Sequence, residues 1–253
     1  MFRPRVIPVL LLKELGLVKS TNFKNYNYIG DPINSIKIFN DLLADELIFL
    51  DITANKENRK ISLDFVKKAG FEANMPFGVG GGIKTLNDIE ELIKSGAEKV
   101  ILNSHALNNL EFIKEASNEF GSSTITISID VKRTLFFGNK VFIFSGSKNL
   151  RLNPETIAKQ VQDCGAGEII INSIDNDGMM QGYDIPLINL ISRKVTIPVV
   201  ALGGASCLND FKIAVNQGFA SAVAAGSLFV YHGERKAVLI NYPSQKELIS
   251  LFK

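Results

Sequence analysis

Pro76-Phe-Gly-Val-Gly-Gly-Gly-Ile-Lys-Thr-Leu-Asn-Asp88 and Pro198-Val-Val-Ala-Leu-Gly-Gly-Ala-Ser-Cys-Leu-Asn-Asp210 follow one pattern. In each, a proline opens a short apolar run, a Gly-Gly pair closes it, and Leu-Asn-Asp follows. The stretches begin 122 residues apart (198 − 76), close to half of the 253-residue chain. The same offset carries Gly81 onto Gly203, Gly82 onto Gly204, Gly96 onto Gly218 and Glu46 onto Glu168. A gap-free repeat whose matches fall at strand ends and turns predicts two equivalent halves, about 1–122 and 123–253.

Working outward, consecutive Val, Ile, Leu and Phe predict strands over 5–12, 46–52, 76–79, 99–103, 124–130, 168–172, 198–202 and 221–225. Uninterrupted apolar runs of this length suit strands buried on both faces. Amphipathic stretches lie between them. In 85–95, Thr85 with Asp88 reads as a capping box, Leu86, Ile89 and Ile93 mark an apolar face, and Gly96 ends the helix. Eight β-then-α units predict a (β/α)8 TIM barrel with a two-fold half-barrel repeat, in one domain spanning 1–253. A doubly wound open sheet is the other arrangement this local pattern permits.

Composition narrows the function. Hydrophobic residues make up 46% and charged residues 21%, so there is apolar surface enough for a packed core. Lys and Arg number 28 against 26 Asp and Glu, a net charge of +2. That balance argues against a nucleic-acid or membrane partner. Cys164 and Cys207, with His105 and His232, are too few for a disulfide framework or a metal cluster, so no metal or cofactor is expected. His232 reads as a structural or interface residue. The run 6–12 lacks a cleavage site and is too short to span a bilayer, which leads to the expectation of a cytoplasmic protein.

In such barrels the chemistry lies where strands end at their carboxyl side. There the chain places Gly81 and Gly82, Asn103 and Ser104, Gly203 and Gly204, and Gly226 and Ser227. Glycines let backbone N–H groups approach an anion, and helix N-termini favour it. Duplication at equivalent positions predicts two phosphate sites; tight turns are the simpler reading of either pair alone. Three carboxylates sit at strand tips: Asp51, Asp130, and Asp177 before Gly178. They are candidates for acid–base work or ligand contact, with a plain turn the other reading for Asp177 and a partner for Lys132 the other for Asp130. Half two carries Ile129-Asp130-Val131-Lys132 where half one carries Leu10-Leu11-Leu12-Lys13. A symmetric pair of aspartates would suit an acid and a base, but Leu11 cannot carry a proton.

The runs Arg5-Val-Ile-Pro8, Lys19-Ser-Thr-Asn-Phe23, Gly30-Asp-Pro32, Leu50-Asp-Ile-Thr53, Gly80-Gly-Gly-Ile83, Asn103, Ile129-Asp-Val-Lys132, Ser173-Ile-Asp-Asn-Asp-Gly178 and Gly203-Gly-Ala205 resemble the HisF family, the cyclase subunit of imidazole glycerol phosphate synthase. The resemblance runs from residue 4 to about 230. It implies a HisH-like glutaminase docked at the amino-terminal face, ammonia crossing the barrel, and a bis-phosphorylated ribonucleotide at the mouth. It implies the base at Asp130, a loop lysine at Lys19, and phosphate contacts at Gly82, Asn103, Ser104, Gly204, Gly226 and Ser227. The family's acid falls on Leu11. Four residues implied to close the barrel base are Arg5, Glu46, Lys99 and Glu168. Their charges also suit a salt-bridged plug that orders the strands.

The segments 6–19 and 224–243 look like the glycosyl amidation-associated (WbuZ-like) branch. That branch acts with a HisH-like glutaminase and an N-acetyl sugar amidotransferase to install acetamidino groups on surface-polysaccharide sugars. The resemblance thus implies a barrel that conducts ammonia to an acceptor elsewhere. A histidine-pathway cyclase with a substitute acid, and a non-catalytic scaffold or activator of the glutaminase, are the alternatives.

Overall fold

A computed structural model describes residues 3–14, 16–233 and 235–253. Eight strands form its centre: β1 (Arg5–Lys13), β2 (Leu47–Asp51), β3 (Phe77–Gly80), β4 (Lys99–Leu102), β5 (Ile125–Thr134), β6 (Glu168–Ser173), β7 (Val199–Leu202) and β8 (Ala222–Ala225). Each pairs in parallel with the next, β8 pairs with β1, and the ring is closed. The closed parallel sheet, with helices between its strands, is a (β/α)8 barrel and not an open sheet.

The helices close this ring from outside. Thr85 caps the helix Leu86–Lys94, and Asp88 returns two bonds to the backbone N–H groups of Lys84 and Thr85. Asp210, its repeat counterpart, accepts from the N–H groups of Ser206 and Cys207 ahead of Leu208–Asn216. Each such cap is worth about 1 kcal/mol. Ile89 and Leu92 are buried from one helix, Phe211 and Ala214 from the other, in the shell between helices and sheet.

A separate apolar cluster fills the barrel: Ile7, Val9, Ile48, Ile101, Ile170, Val200, Leu202, Ala222 and Ala224, with Leu11 and Leu50 packed against it. Alternation along the strands sends Arg5, Ile7, Val9 and Leu11 inward at successive levels. Register then ties the levels together. Leu11 lies beside Leu50, and Asp130 beside Asn172. Leu50 and Asn172 are 122 residues apart (172 − 50), so Leu11 and Asp130 hold equivalent places in the two halves.

Several expected strand bounds shift. Glu46, Pro76, Thr124, Pro198 and Ser221 precede their strands, and β5 runs on to Thr134 instead of stopping at Asp130. Three antiparallel additions are not visible in the apolar pattern. Gly16–Thr21 folds back on β1 and pairs with Lys24–Gly30; Gly138–Ile143 pairs with the end of β5 and with Lys148–Asn149; Tyr231–His232 pairs with Ala237–Val238. Their strands are short or carry polar and aromatic residues on exposed faces, which removes the buried-strand signature. His232 is exposed in the last of them.

Candidate functional site

A cavity opens at the carboxyl ends of the strands. Its lining includes Leu11, Lys19, Asp51, Gly81, Gly82, Asn103, Ser104, Asp130 and Asp177. A smaller pocket beside it is lined by Gly178, Gly203, Gly204 and Ser227, and shares Lys19, Asp177 and Gly226 with the first. All the residues expected at the mouth therefore meet there, with the two glycine loops on opposite sides. Both loops need glycine. Gly82 has φ +66°, and a Cβ there falls 1.9 Å from the carbonyl oxygen of Arg59. Gly204 has φ +113°, and a Cβ falls 2.1 Å from that of Gly182.

Asp130 is the central carboxylate. It is buried at the end of the inward face of β5. Asn172 Nδ2 donates to Oδ1 at 3.1 Å and Asn103 Nδ2 to Oδ2 at 3.0 Å. Burial pushes its carboxyl up to about 6, against the two amide hydrogen bonds and with help from the charge of Asp177. Such a group is poised to gain or lose a proton near neutrality. Across the mouth, Leu11 and Leu50 present only methyl groups to the same cavity.

The other two carboxylates have different surroundings. Asp51 Oδ1 accepts from the Thr53 N–H, the Thr53 hydroxyl and the Ala54 N–H, and Oδ2 meets Arg59 Nη1 at 2.5 Å. Its oxygens are spent on shaping the β2 loop, so it lines the cavity as a structural group. Asp177 lies 3.7 Å from Lys19 Nζ and accepts from the Ser20 hydroxyl at 3.2 Å. Lys19, expected on a loop, is buried in the strand Gly16–Thr21. That hairpin straps the mouth: Leu11 pairs with Val18, and at the far end Asn22 bonds the backbone of Ile174, Asp175 and Asp177. Sequence reasoning missed Asn172, Ser128 and Arg59. The repeat carries a signal for Asn172, a polar residue 122 positions on from Leu50 that ends an apolar run.

At the opposite end Arg5, Glu46, Lys99 and Glu168 close a ring. Arg5 bonds Glu46 through Nη1 and Glu168 through Nη2. Lys99 Nζ lies 3.2 Å from Glu46 Oε1 and 2.9 Å from Glu168 Oε2. Each carboxylate bridges both cations. Burial by itself would lower the Arg5 guanidinium, but the charges of Glu168 and Glu46 hold it above its ordinary value. Between ring and mouth lie the apolar cluster and two hydroxyls, Thr126 beside Glu168 and Ser128 beside Ile170. Among the described residues no three His, Cys, Asp or Glu side chains are grouped to hold a metal ion. No helix among them is long and apolar enough to cross a membrane.

A family profile described as "Histidine biosynthesis protein" matches residues 5–236. The protein of Pseudomonas aeruginosa named "Putative imidazole glycerol phosphate synthase subunit hisF2" is 44% identical over 248 residues, covering 98% of this chain and 99% of its own. The chain belongs to the HisF family. "Imidazole glycerol phosphate synthase subunit HisF" of Alkaliphilus metalliredigens is 42% identical over 232 residues, 92% of each chain. Within this HisF barrel the carboxylate of β5 is matched on β1 by Leu11, and the base ring has all four charges.

Proposed function

We propose that this HisF-family chain is the synthase subunit of a glutamine amidotransferase complex. A HisH-like glutaminase docks at the Arg5–Glu46–Lys99–Glu168 ring, and ammonia passes inward from there. The apolar interior suits neutral ammonia and rejects ammonium, because a bare charge in such surroundings is costly. At the mouth, the two glycine loops with Lys19 bind a phosphorylated small molecule. The ammonia leaves for an acceptor on another protein, an N-acetyl sugar amidotransferase, in acetamidino-sugar and surface-polysaccharide biosynthesis.

The observation that carries this reading is the pairing of Leu11 with Leu50 where the other half pairs Asp130 with Asn172. Cyclisation by a facing acid and base needs two proton carriers, and the β1 position equivalent to Asp130 holds Leu11, which is not one. The resemblance of 6–19 and 224–243 to the sugar-amidation branch supplies the acceptor. The second reading is the histidine-pathway cyclase. It is favoured by Asp130, whose raised carboxyl suits a base, and by the presence of both glycine loops.

The test is ammonium-dependent turnover of the phosphoribulosyl formimino carboxamide ribonucleotide by the purified chain, alongside Leu11→Asp. No turnover by the native chain, with partial gain in Leu11→Asp, supports ammonia export. Turnover by the native chain establishes the cyclase and overturns the main reading.

A further inference from the structure

Beyond Val131, which still pairs with Ser173, β5 leaves the barrel. Lys132–Thr134 continue the strand for about 10 Å past the mouth, at roughly 3.3 Å per residue. The chain turns through Leu135, Phe136 and Phe137, and returns as Gly138–Ile143, with Thr134 paired to Gly138 and Asp130 to Phe142. Gly138 takes φ +64°, which lets this three-residue loop close. The result is a two-stranded arm whose tip is apolar. Leu135 is 97% exposed, Phe136 87% and Phe137 74%. Side chains of this kind are seldom left together in water without a use.

The charges around the tip are of one sign. From 131 to 153 the only charged residues are Lys132, Arg133, Lys140, Lys148 and Arg151, with no Asp or Glu. Among the described residues none of the five side chains is paired with a carboxylate. The Asp175 carboxylate, at the root of the arm, accepts only from the backbone N–H of Arg133. A net charge of +2 for the whole chain conceals this segment, because the average is taken over the acidic remainder.

We infer that this arm is a reversible anchor to an anionic membrane surface, with Leu135, Phe136 and Phe137 inserting between lipid headgroups and the collar of Lys and Arg meeting lipid phosphates. Three side chains on a narrow tip offer too little area for a stable protein interface, which needs about 800 Å² per partner. A fluid apolar phase needs no shaped partner, and cations beside an inserted tip gain from the negative surface potential. Because the tip stands beyond the mouth, such docking turns the mouth toward the bilayer and leaves the Arg5–Lys99 ring facing away. The inference stands independently of which ammonia acceptor the barrel serves.

The chain has no tryptophan, so Phe136→Trp gives a single reporter at the tip. The experiment is cosedimentation of the intact protein with phosphatidylglycerol/phosphatidylethanolamine vesicles and with phosphatidylcholine vesicles, at low and high salt. Expected is binding to the anionic vesicles that weakens with salt and falls at least about tenfold in Phe136→Ser/Phe137→Ser. The tryptophan emission should shift to the blue and be quenched by brominated lipid. Unchanged thermal melting of the double variant shows that the fold is intact, since both side chains are exposed. Absence of binding to anionic vesicles at low salt overturns the inference, as does binding that the double variant retains. A concentration-dependent dimer abolished by the double variant, without vesicle binding, assigns the tip to a second copy of this chain instead.

Discussion

Asn172 lies beside Asp130 across the β5–β6 ladder and donates to its carboxylate at 3.1 Å. The equivalent neighbours of the other half, Leu11 and Leu50, share the same register and offer no hydrogen bond. A carboxylate at Leu11 alone therefore enters an apolar pocket, whereas an amide at Leu50 can receive it. Leu11→Asp is expected to cost about 2 kcal/mol, and Leu50→Asn in the same chain to restore about 1 kcal/mol of it. Urea unfolding of both single variants and the double one measures the coupling. Strict additivity would show that the register does not bring the two side chains together.

The Asp130 carboxyl ties stability to pH. Its folded value of about 6 lies above the ordinary 3.8, so the folded chain holds this proton more tightly than the unfolded chain. Below about pH 4 both states are protonated and the group is neutral to stability; the penalty grows as pH rises through the window and is complete above about 6, at about 3 kcal/mol. Asp130→Asn lacks this titration. The native chain should lose stability relative to Asp130→Asn by up to that amount between about pH 4 and pH 7. Parallel urea titrations read it, and a constant difference across the window would mean that Asp130 titrates normally.

The two glycine loops make a paired test. Gly82→Ala and Gly204→Ala force a Cβ against a carbonyl oxygen at a positive φ, and each should cost more than about 2 kcal/mol. Gly121 also has a positive φ, +83°, but nothing lies within 4 Å of its Cβ position. Gly121→Ala should cost only about 1 kcal/mol. Thermal melting of the three variants separates close approach from backbone strain. Isothermal titration with inorganic phosphate should show weakened binding only in the first two.

At the base, Glu168 serves both cations. Glu168→Ala leaves Arg5 and Lys99 sharing Glu46 and should destabilise by about 3 kcal/mol. Adding Lys99→Met removes one surplus charge, so the double variant should be more stable than the sum of the two single changes predicts, by about 1 kcal/mol. Denaturant unfolding of the set decides whether the four side chains act as one ring.

The amino-acid sequence determined the barrel through features that are local. Buried parallel strands show as unbroken apolar runs, glycine pairs mark their exits, and the 122-residue repeat doubles both signals. The likeness of Leu10-Leu-Leu-Lys13 to Ile129-Asp-Val-Lys132 also set Leu11 against Asp130, at an offset of 119 (130 − 11) instead of 122, and strand register confirms that equivalence. The partners of the site side chains were another matter. Arg59 on Asp51 depends on how a single loop folds, whereas Asn103 and Asn172 flanking Asp130 and Asn22 clasping the β6 loop depend on strand pairing and packing, which bring together residues 27 to 153 positions apart. The strap over the mouth and the arm beyond it were equally hidden, because the strap's buried strand is short and half polar and the arm is exposed to solvent, so neither carries a continuous apolar run. Burial sets the pattern that a sequence displays; the protonation of Asp130 and the direction in which Phe136 points follow from contacts and exposure that exist only once the ring has closed.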